Sequence, residues 1–165
     1  MKLFPKKEIN SHFQGLLKRA LKDSSLGWKG SGQLYGFALT DDLFFLLKLQ
    51  QSASPTRAGF RAITGAGSNR LKERETGKAC RLPEPHLSKF YIPTSQPEGL
   101  GIPGESWMVL TKQEHAPEQV RCLMGYLESE ARDALRENWT SAKFFERMGT
   151  HGNPYEFELL TEISS

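Results

Sequence analysis

The side chains able to do chemistry in this chain are few and scattered. His12, His86, His115 and His151 each stand alone. None forms a His-x-x-x-His pair, the spacing that sets two imidazoles on one helical face for a metal. Cys80 and Cys122 lack Cys-x-x-Cys spacing, so they imply neither a zinc site nor a disulfide framework. Cys122 adjoins Leu123 in a helical pattern and reads as a small core residue. Cys80 lies between Lys78 and Arg81, cations that would draw down the pKa of an exposed thiol, although a bystander thiol is the preferred reading. Asp41 and Asp42 resemble a carboxylate pair for a metal, but their place between two strand-like runs makes a hairpin turn the better reading. Gly65-Ala66-Gly67 follows a strand-like run, as a phosphate-binding turn would. Arg70 holds the position of the third glycine and no Walker-type Gly-Lys-Ser/Thr occurs, so the segment reads as a plain loop. A Gly-x-Ser-x-Gly elbow is absent. The expectation is a chain that leans away from catalysis, with no metal and no cofactor. Its enzymatic alternative is a small hydrolase or transferase whose site is assembled in space on a concave sheet face, using His86 or His115.

Charge is the other resource. Arg57, Arg61, Arg70, Lys72, Arg74, Lys78 and Arg81 form a basic stretch, interrupted by Glu73 and Glu75. Binders of single-stranded nucleic acid interleave such charge with stacking rings, and no aromatic lies between Arg61 and Lys89. The stretch therefore reads as a mobile charged loop, a contact surface for an acidic partner. Arg70, Lys72, Glu73, Arg74 and Glu75 are its candidate partner-binding residues. Glu128, Glu130, Asp133 and Glu137, interleaved with Arg132 and Arg136, read as a solvated helix face.

The elements that would position these residues follow from hydrophobic periodicity. Pro5 suits a helix start. Ile9, Phe13, Leu16, Leu17, Ala20 and Leu21 then recur at spacings of three and four, which predicts a helix over 6–23. Gln33 to Leu39 and Leu43 to Gln51 read as two strands joined by a turn at Thr40-Asp41-Asp42, and Gly59 to Thr64 as a third. Such short connections make an antiparallel meander. From Gly65 to about Gly104 the pattern dissolves into an irregular loop region, with one strand near Lys89 to Pro93. Trp107 to Leu110 is a fourth strand. Pro117 opens the longest helix, to about Asn138, striped by Val120, Leu123, Met124, Leu127, Ala131, Ala134 and Leu135. Ser141 to Met148 predicts a short helix, and 155–163 fits a strand or a helix equally. The expected fold is a single α+β domain over 1–165: an antiparallel sheet of four to five strands with an N-terminal helix and a long C-terminal helix.

The whole chain agrees with this. Its 165 residues, 38% hydrophobic and 25% charged with ten Phe, suffice for one packed core. The net charge of +3 is milder than that of dedicated nucleic-acid binders. The longest apolar run, Leu43 to Leu47, is too short to span a bilayer. The start lacks the apolar stretch of a signal peptide. A cytoplasmic protein with free thiols and no membrane partner is expected.

Four segments resemble a bacterial domain-of-unknown-function family (4304-like). They are Gly27-Trp28-Lys29-Gly30-Ser31-Gly32, Leu49-Gln50-Gln51-Ser52, the strand from Gly59 to Gly65, and the Trp-initiated strand from Trp107 to Leu110 before a C-terminal helix. The resemblance brings no catalytic residues. Some similar small domains sit near bacterial toxin genes, so it implies an immunity role. The functional expectation is thus a non-catalytic protein-binding role, most concretely a bacterial immunity or antagonist protein that occludes a toxin or enzyme. The alternative is a nucleic-acid-associated accessory factor using the basic loop with Arg57 and Arg61.

Overall fold

A computed structural model of the chain describes residues 4–94 and 105–150. Helix α1 spans Lys6–Asp23 and buries Ile9, Phe13, Leu17 and Leu21, one residue per turn on a single stripe. Six antiparallel strands then make one sheet: β1 (Lys29–Ser31), β2 (Leu34–Ala38), β3 (Leu43–Gln51), β4 (Ala58–Ser68), β5 (Leu87–Phe90) and β6 (Trp107–Leu110). The first four follow one another across the sheet as a meander. On its far edge β4 is shared end to end, β5 pairing Ile63–Ala66 and β6 pairing Ala58–Arg61. Helix α2 (Asn69–Thr76) leaves β4 directly, and α3 (Ala116–Arg136) and α4 (Ser141–Thr150) are the last elements of the described residues.

Residues directly opposite in an antiparallel ladder share a face. The registers therefore put Tyr35, Phe37, Phe45, Leu47, Leu49, Phe60, Ala62 and Met108 together. This is the covered face. Helices α1 and α3 pack on its middle, where the Phe13 and Phe60 rings stack at 4.9 Å. Helix α4 adds Phe144, Phe145 and Met148 over Leu43, Ala66 and Leu71. Trp28 meets Phe37 and Phe45 edge-on at 5.0 and 6.0 Å. The alternate residues, among them Lys48, Gln50, Arg61, Ile63, Phe90 and Trp107, lie on the opposite face. There a segment containing Leu82 and Glu84 crosses Gly36 and Gly67.

The α+β expectation and the two long helices hold, and β3 and β6 have the bounds expected of them. The region from Gly65 is different from its expectation. Gly65-Ala66-Gly67 is not a loop but the continuation of β4, paired with Leu46, Phe45 and Phe44 on β3. Both glycines answer crowding. A Cβ on Gly65 would stand 1.7 Å from the Leu87 carbonyl oxygen, and one on Gly67 2.1 Å from that of Glu84. Beyond them lies α2, where a mobile loop is expected. It escapes a periodicity search because Leu71 is its one buried residue. What holds it is capping. Ser68 Oγ accepts the Leu71 amide at 3.2 Å and donates to Asp42 Oδ2 at 2.6 Å. Asp42 Oδ1 takes the Arg70 amide at 2.8 Å, and Gly77 ends the helix in the left-handed conformation. The expected strand near Lys89 is β5, begun two residues earlier, and the short strand β1 is additional. The expected element at 155–163 lies outside the described residues.

Candidate functional site

Two places on the sheet bring reactive or recognition-type side chains together. The first is a groove of 470 Å³ on the covered face, between β5 and the C-terminal half of α3 with α4. Small residues make room for it: Thr64 and Ala66 on the covered face of β4, the Gly65 backbone between them, and Ala134 on α3 all line it. Phe45, Leu87 and Trp139 add apolar wall, and His86, Lys89, Glu130, Asp133, Glu137 and Arg147 bring charge. These charges are paired. The Lys89 ammonium meets Glu130 Oε2 at 2.6 Å, and that hydrogen bond, with Asp133 nearby, holds its pKa above the ordinary 10.5. Arg147 bonds to Glu137 and lies 4.5 Å over the Trp139 ring.

His86 is not a surface histidine. Its side chain is 8% exposed. Nδ1 accepts the Ser68 amide at 3.3 Å, which leaves the proton on Nε2, 3.7 Å from Glu75 Oε1. The ring also meets Phe144 edge-on at 6.2 Å. His115 likewise accepts an amide, that of Thr111, at 3.2 Å and so ties β6 to α3. Both imidazoles serve as backbone acceptors. His12 is exposed, and His151 lies outside the described residues.

The second place is the opposite face of the sheet. Gln50, Arg61 and Trp107 form one cross-strand row over β3, β4 and β6. Arg61 accordingly donates from Nε to Gln50 Oε1 at 3.1 Å. Its guanidinium stands 4.8 Å over the Trp107 ring and 4.6 Å over that of Phe90. Phe90 on β5 faces Ile63 in the next row and is 49% exposed, and Ile92 just beyond is 46% exposed. Lys48 shares this face and pairs with Glu84 at 3.5 Å. An aromatic–guanidinium stack beside exposed apolar side chains is the composition of binding hot spots.

The five expected partner-binding residues, Arg70, Lys72, Glu73, Arg74 and Glu75, all lie on α2 and not on a loop. Lys72 turns to Glu84 at 3.4 Å and Glu75 to His86; Arg70, Glu73, Arg74 and Glu75 are all exposed. The wider basic stretch is dispersed: Arg61 lies on β4, Arg70, Lys72 and Arg74 on α2, and Arg57, Lys78 and Arg81 in the segments that flank these elements. Cys80 does not have the lowered pKa that Lys78 and Arg81 would give an exposed thiol. Burial, reinforced by the Glu73 charge, pushes its pKa up despite Lys72 nearby, and Sγ lies 3.4 Å from Asn69 Oδ1. Cys122 is half-buried rather than in the core, its Sγ 3.6 Å from Glu118 Oε1. Asp41 and Asp42 do form a turn, and Asp42 caps α2. Among the described residues no group of three His, Cys, Asp or Glu has metal-site geometry, and no helix is long and apolar enough to cross a membrane. Sequence reasoning missed Phe90 and Trp107 as partners of Arg61. The available signal was an aromatic in each of two short strands, but only the shared edge of β4 brings them to one arginine. Comparison with protein-family models, with curated proteins and with solved structures finds no match to this chain.

Proposed function

We propose that this chain is a non-catalytic protein-binding domain that docks an acidic partner through the helix-free face of its sheet, the face that no helix among the described residues covers. The concrete form is a bacterial immunity or antagonist protein that occludes a toxin or enzyme. One observation carries the reading: Arg61 held between Phe90 and Trp107 on an open sheet face, with Phe90 and Ile92 exposed beside it. Arg and Trp dominate interface energetics because each offers a large, preorganised surface with a polar handle. Lys29, Lys48 and Arg61 share this face by register and would steer an acidic partner. The exposed Arg70, Glu73 and Arg74 of α2 form a flanking surface.

The test is site-directed photo-cross-linking in cells. A photoreactive residue at position 90 should capture one protein near stoichiometrically. The same probe at Arg132 on α3 should not, and Arg61→Ala should abolish the adduct at 90. The captured protein, once purified, should lose its activity on binding the chain. Equal capture from both positions, or capture insensitive to Arg61→Ala, would overturn the reading.

The same stack favours a second reading, since guanidinium and ring on an open sheet also hold the bases of a single strand. A gel shift at low salt that Trp107→Ala removes, and that weakens steeply with added salt, would select it.

A further inference from the structure

The sheet has an open edge beside the groove. The Tyr91 N–H donates to the Ala62 carbonyl oxygen at 2.9 Å, and bonded pairs alternate along an antiparallel ladder. Thr64–Lys89 and Ala66–Leu87 are therefore the bonded pairs of β4 and β5, and Ile63–Phe90 and Gly65–Ser88 the unbonded ones. The N–H and C=O groups of Ser88 and Phe90 consequently point away from β4. Among the described residues no strand pairs with that outer edge. The groove runs along it, with Leu87, Ser88 and Lys89 on one side and Ala134 of α3 on the other. Such an edge is a template for one more strand.

The groove selects the kind of strand. Its charges answer one another: Lys89 meets Glu130, Arg147 meets Glu137, Asp133 meets Arg136, and Lys143 Nζ donates to the Glu137 carbonyl oxygen. What remains is apolar wall, from Phe45, Leu87 and Trp139. Its 470 Å³ has room for about three ring-sized groups, since a cavity of roughly 150 Å³ holds one benzene. The occupant should therefore turn an uncharged row of large side chains to the groove, while its backbone bonds the edge of β5.

We propose that residues 155–163 of this chain fill the groove as a strand added to the outer edge of β5. Their alternate positions are Tyr155, Phe157, Leu159, Thr161 and Ile163, all uncharged, against Glu156, Glu158, Leu160 and Glu162. Pairing with β5 sets one row on the side of Leu87 and Lys89, toward the groove, and the other on the side of Ser88 and Phe90, toward water. The chain can reach. Arg147, in the last turn of α4, already lines the groove, and residues 151–154 span up to about 14 Å when extended. The same segment also suits a helix, which would gather Tyr155, Leu159, Leu160 and Ile163 on one stripe and turn Phe157 aside. Only a strand meets the outward backbone groups of Ser88 and Phe90. Neither Arg61 nor Trp107 takes part, so the docking surface stands or falls separately.

Amide hydrogen exchange of the full chain, read residue by residue by NMR, tests this. The Ser88 and Phe90 amides meet no acceptor on β4, yet should exchange about tenfold or more below free-peptide rates, at every protein concentration. Phe157→Glu places a charge on the row that faces the groove. It should return both amides to free-peptide rates while the Lys89 amide, bonded to Thr64, keeps its protection. Leu160→Glu changes the other row and should leave all three amides as they are. Free-peptide exchange of Ser88 and Phe90 in the native protein would overturn the proposal. So would protection that grows with concentration, the mark of a second copy on this edge, or protection that survives Phe157→Glu, the mark of a different occupant. Sensitivity to Leu160→Glu with indifference to Phe157→Glu would replace the strand with a helix and overturn it as well.

Discussion

The two faces of the sheet are built from alternate residues of the same strands, yet they obey different rules. On the covered face, register aligns Phe45, Leu47 and Leu49 of β3 with Ala66, Thr64 and Ala62 of β4, and helices seal them from water. On the helix-free face the same two strands present Phe44, Leu46, Lys48 and Gln50 against Gly67, Gly65, Ile63 and Arg61. One end of that second row is roofed by the segment at Leu82 and Glu84; the other ends in Arg61 between two rings. The difference teaches that burial on one face fixes the register, and that the register then assembles the open face as a consequence. Arg61, Phe90 and Trp107 meet because Phe60, Ala62 and Ala66 must point the other way.

The sharpest way to break this comparison is to hollow the covered face. Phe60 is fully buried and stacks on Phe13, so Phe60→Ala should cost about 3–5 kcal/mol of unfolding free energy. Urea denaturation would measure it. Because β4 carries both faces, the loss should also disorder the Arg61 stack, visible as a change in Trp107 fluorescence well below the unfolding midpoint.

A smaller effect is expected at α2, which the covered face holds through Leu71 alone. Asp42→Ala removes the acceptor of both the Ser68 hydroxyl and the Arg70 amide. The expected loss is about 1–2 kcal/mol. Hydrogen exchange should show it concentrated in Asn69–Thr76 while β3 and β4 keep their protection. Exchange that rises equally across the sheet would mean that α2 and the sheet open as one unit.

Arg61→Ala should be milder still. Its guanidinium adds cation–π contact to two rings at a partly wet site, worth within about 1 kcal/mol in total. Thermal denaturation should hardly move, while the photo-adduct at position 90 disappears. A large loss of stability would make the stack a structural brace for the edge of β4 and leave no recognition role to assign it.

These cases show what the sequence could reveal. The period-two run from Leu34 to Leu49 and the period-three-and-four stripes of α1 and α3 were legible because burial writes them into side-chain type. Helix α2 was not, since its determinants are Asp42, 27 residues before it, and single caps at Ser68 and Gly77. The continuation of β4 through Gly65-Ala66-Gly67 was hidden for a related reason. Those glycines mark close approach by Leu87 and Glu84, and close approach in space has no local signature. The charged residues of 70–75 were recognisable as surface, but the pairing of Lys72 and Glu75 depends on where Glu84 and His86 come to lie. The Arg61 stack was the least accessible, being a product of the order in which β5 and β6 share one edge.

The subtlest expected effect separates the roofed from the open part of the helix-free face by pH. Glu84 lies between Lys48 at 3.5 Å and Lys72 at 3.4 Å, tying the crossing segment to β3 and α2 at once. Burial alone would raise its pKa, but the two ammonium groups together draw it below the ordinary 4.5. A depressed folded-state pKa means that the unfolded chain takes up a proton first, so the contribution is fully present above pH 4.5 and is lost as pH falls through the folded value. The carboxylate is half exposed, so solvent and salt limit the contribution to under about 1 kcal/mol. Comparing urea midpoints of the native protein and Glu84→Gln should therefore show a small deficit in the variant at neutral pH that closes in acid and shrinks in high salt. The deficit should leave the Arg61 stack untouched, because that end of the face is held by β5 and β6. A pH-independent deficit would show instead that the Glu84 side chain acts without its charge.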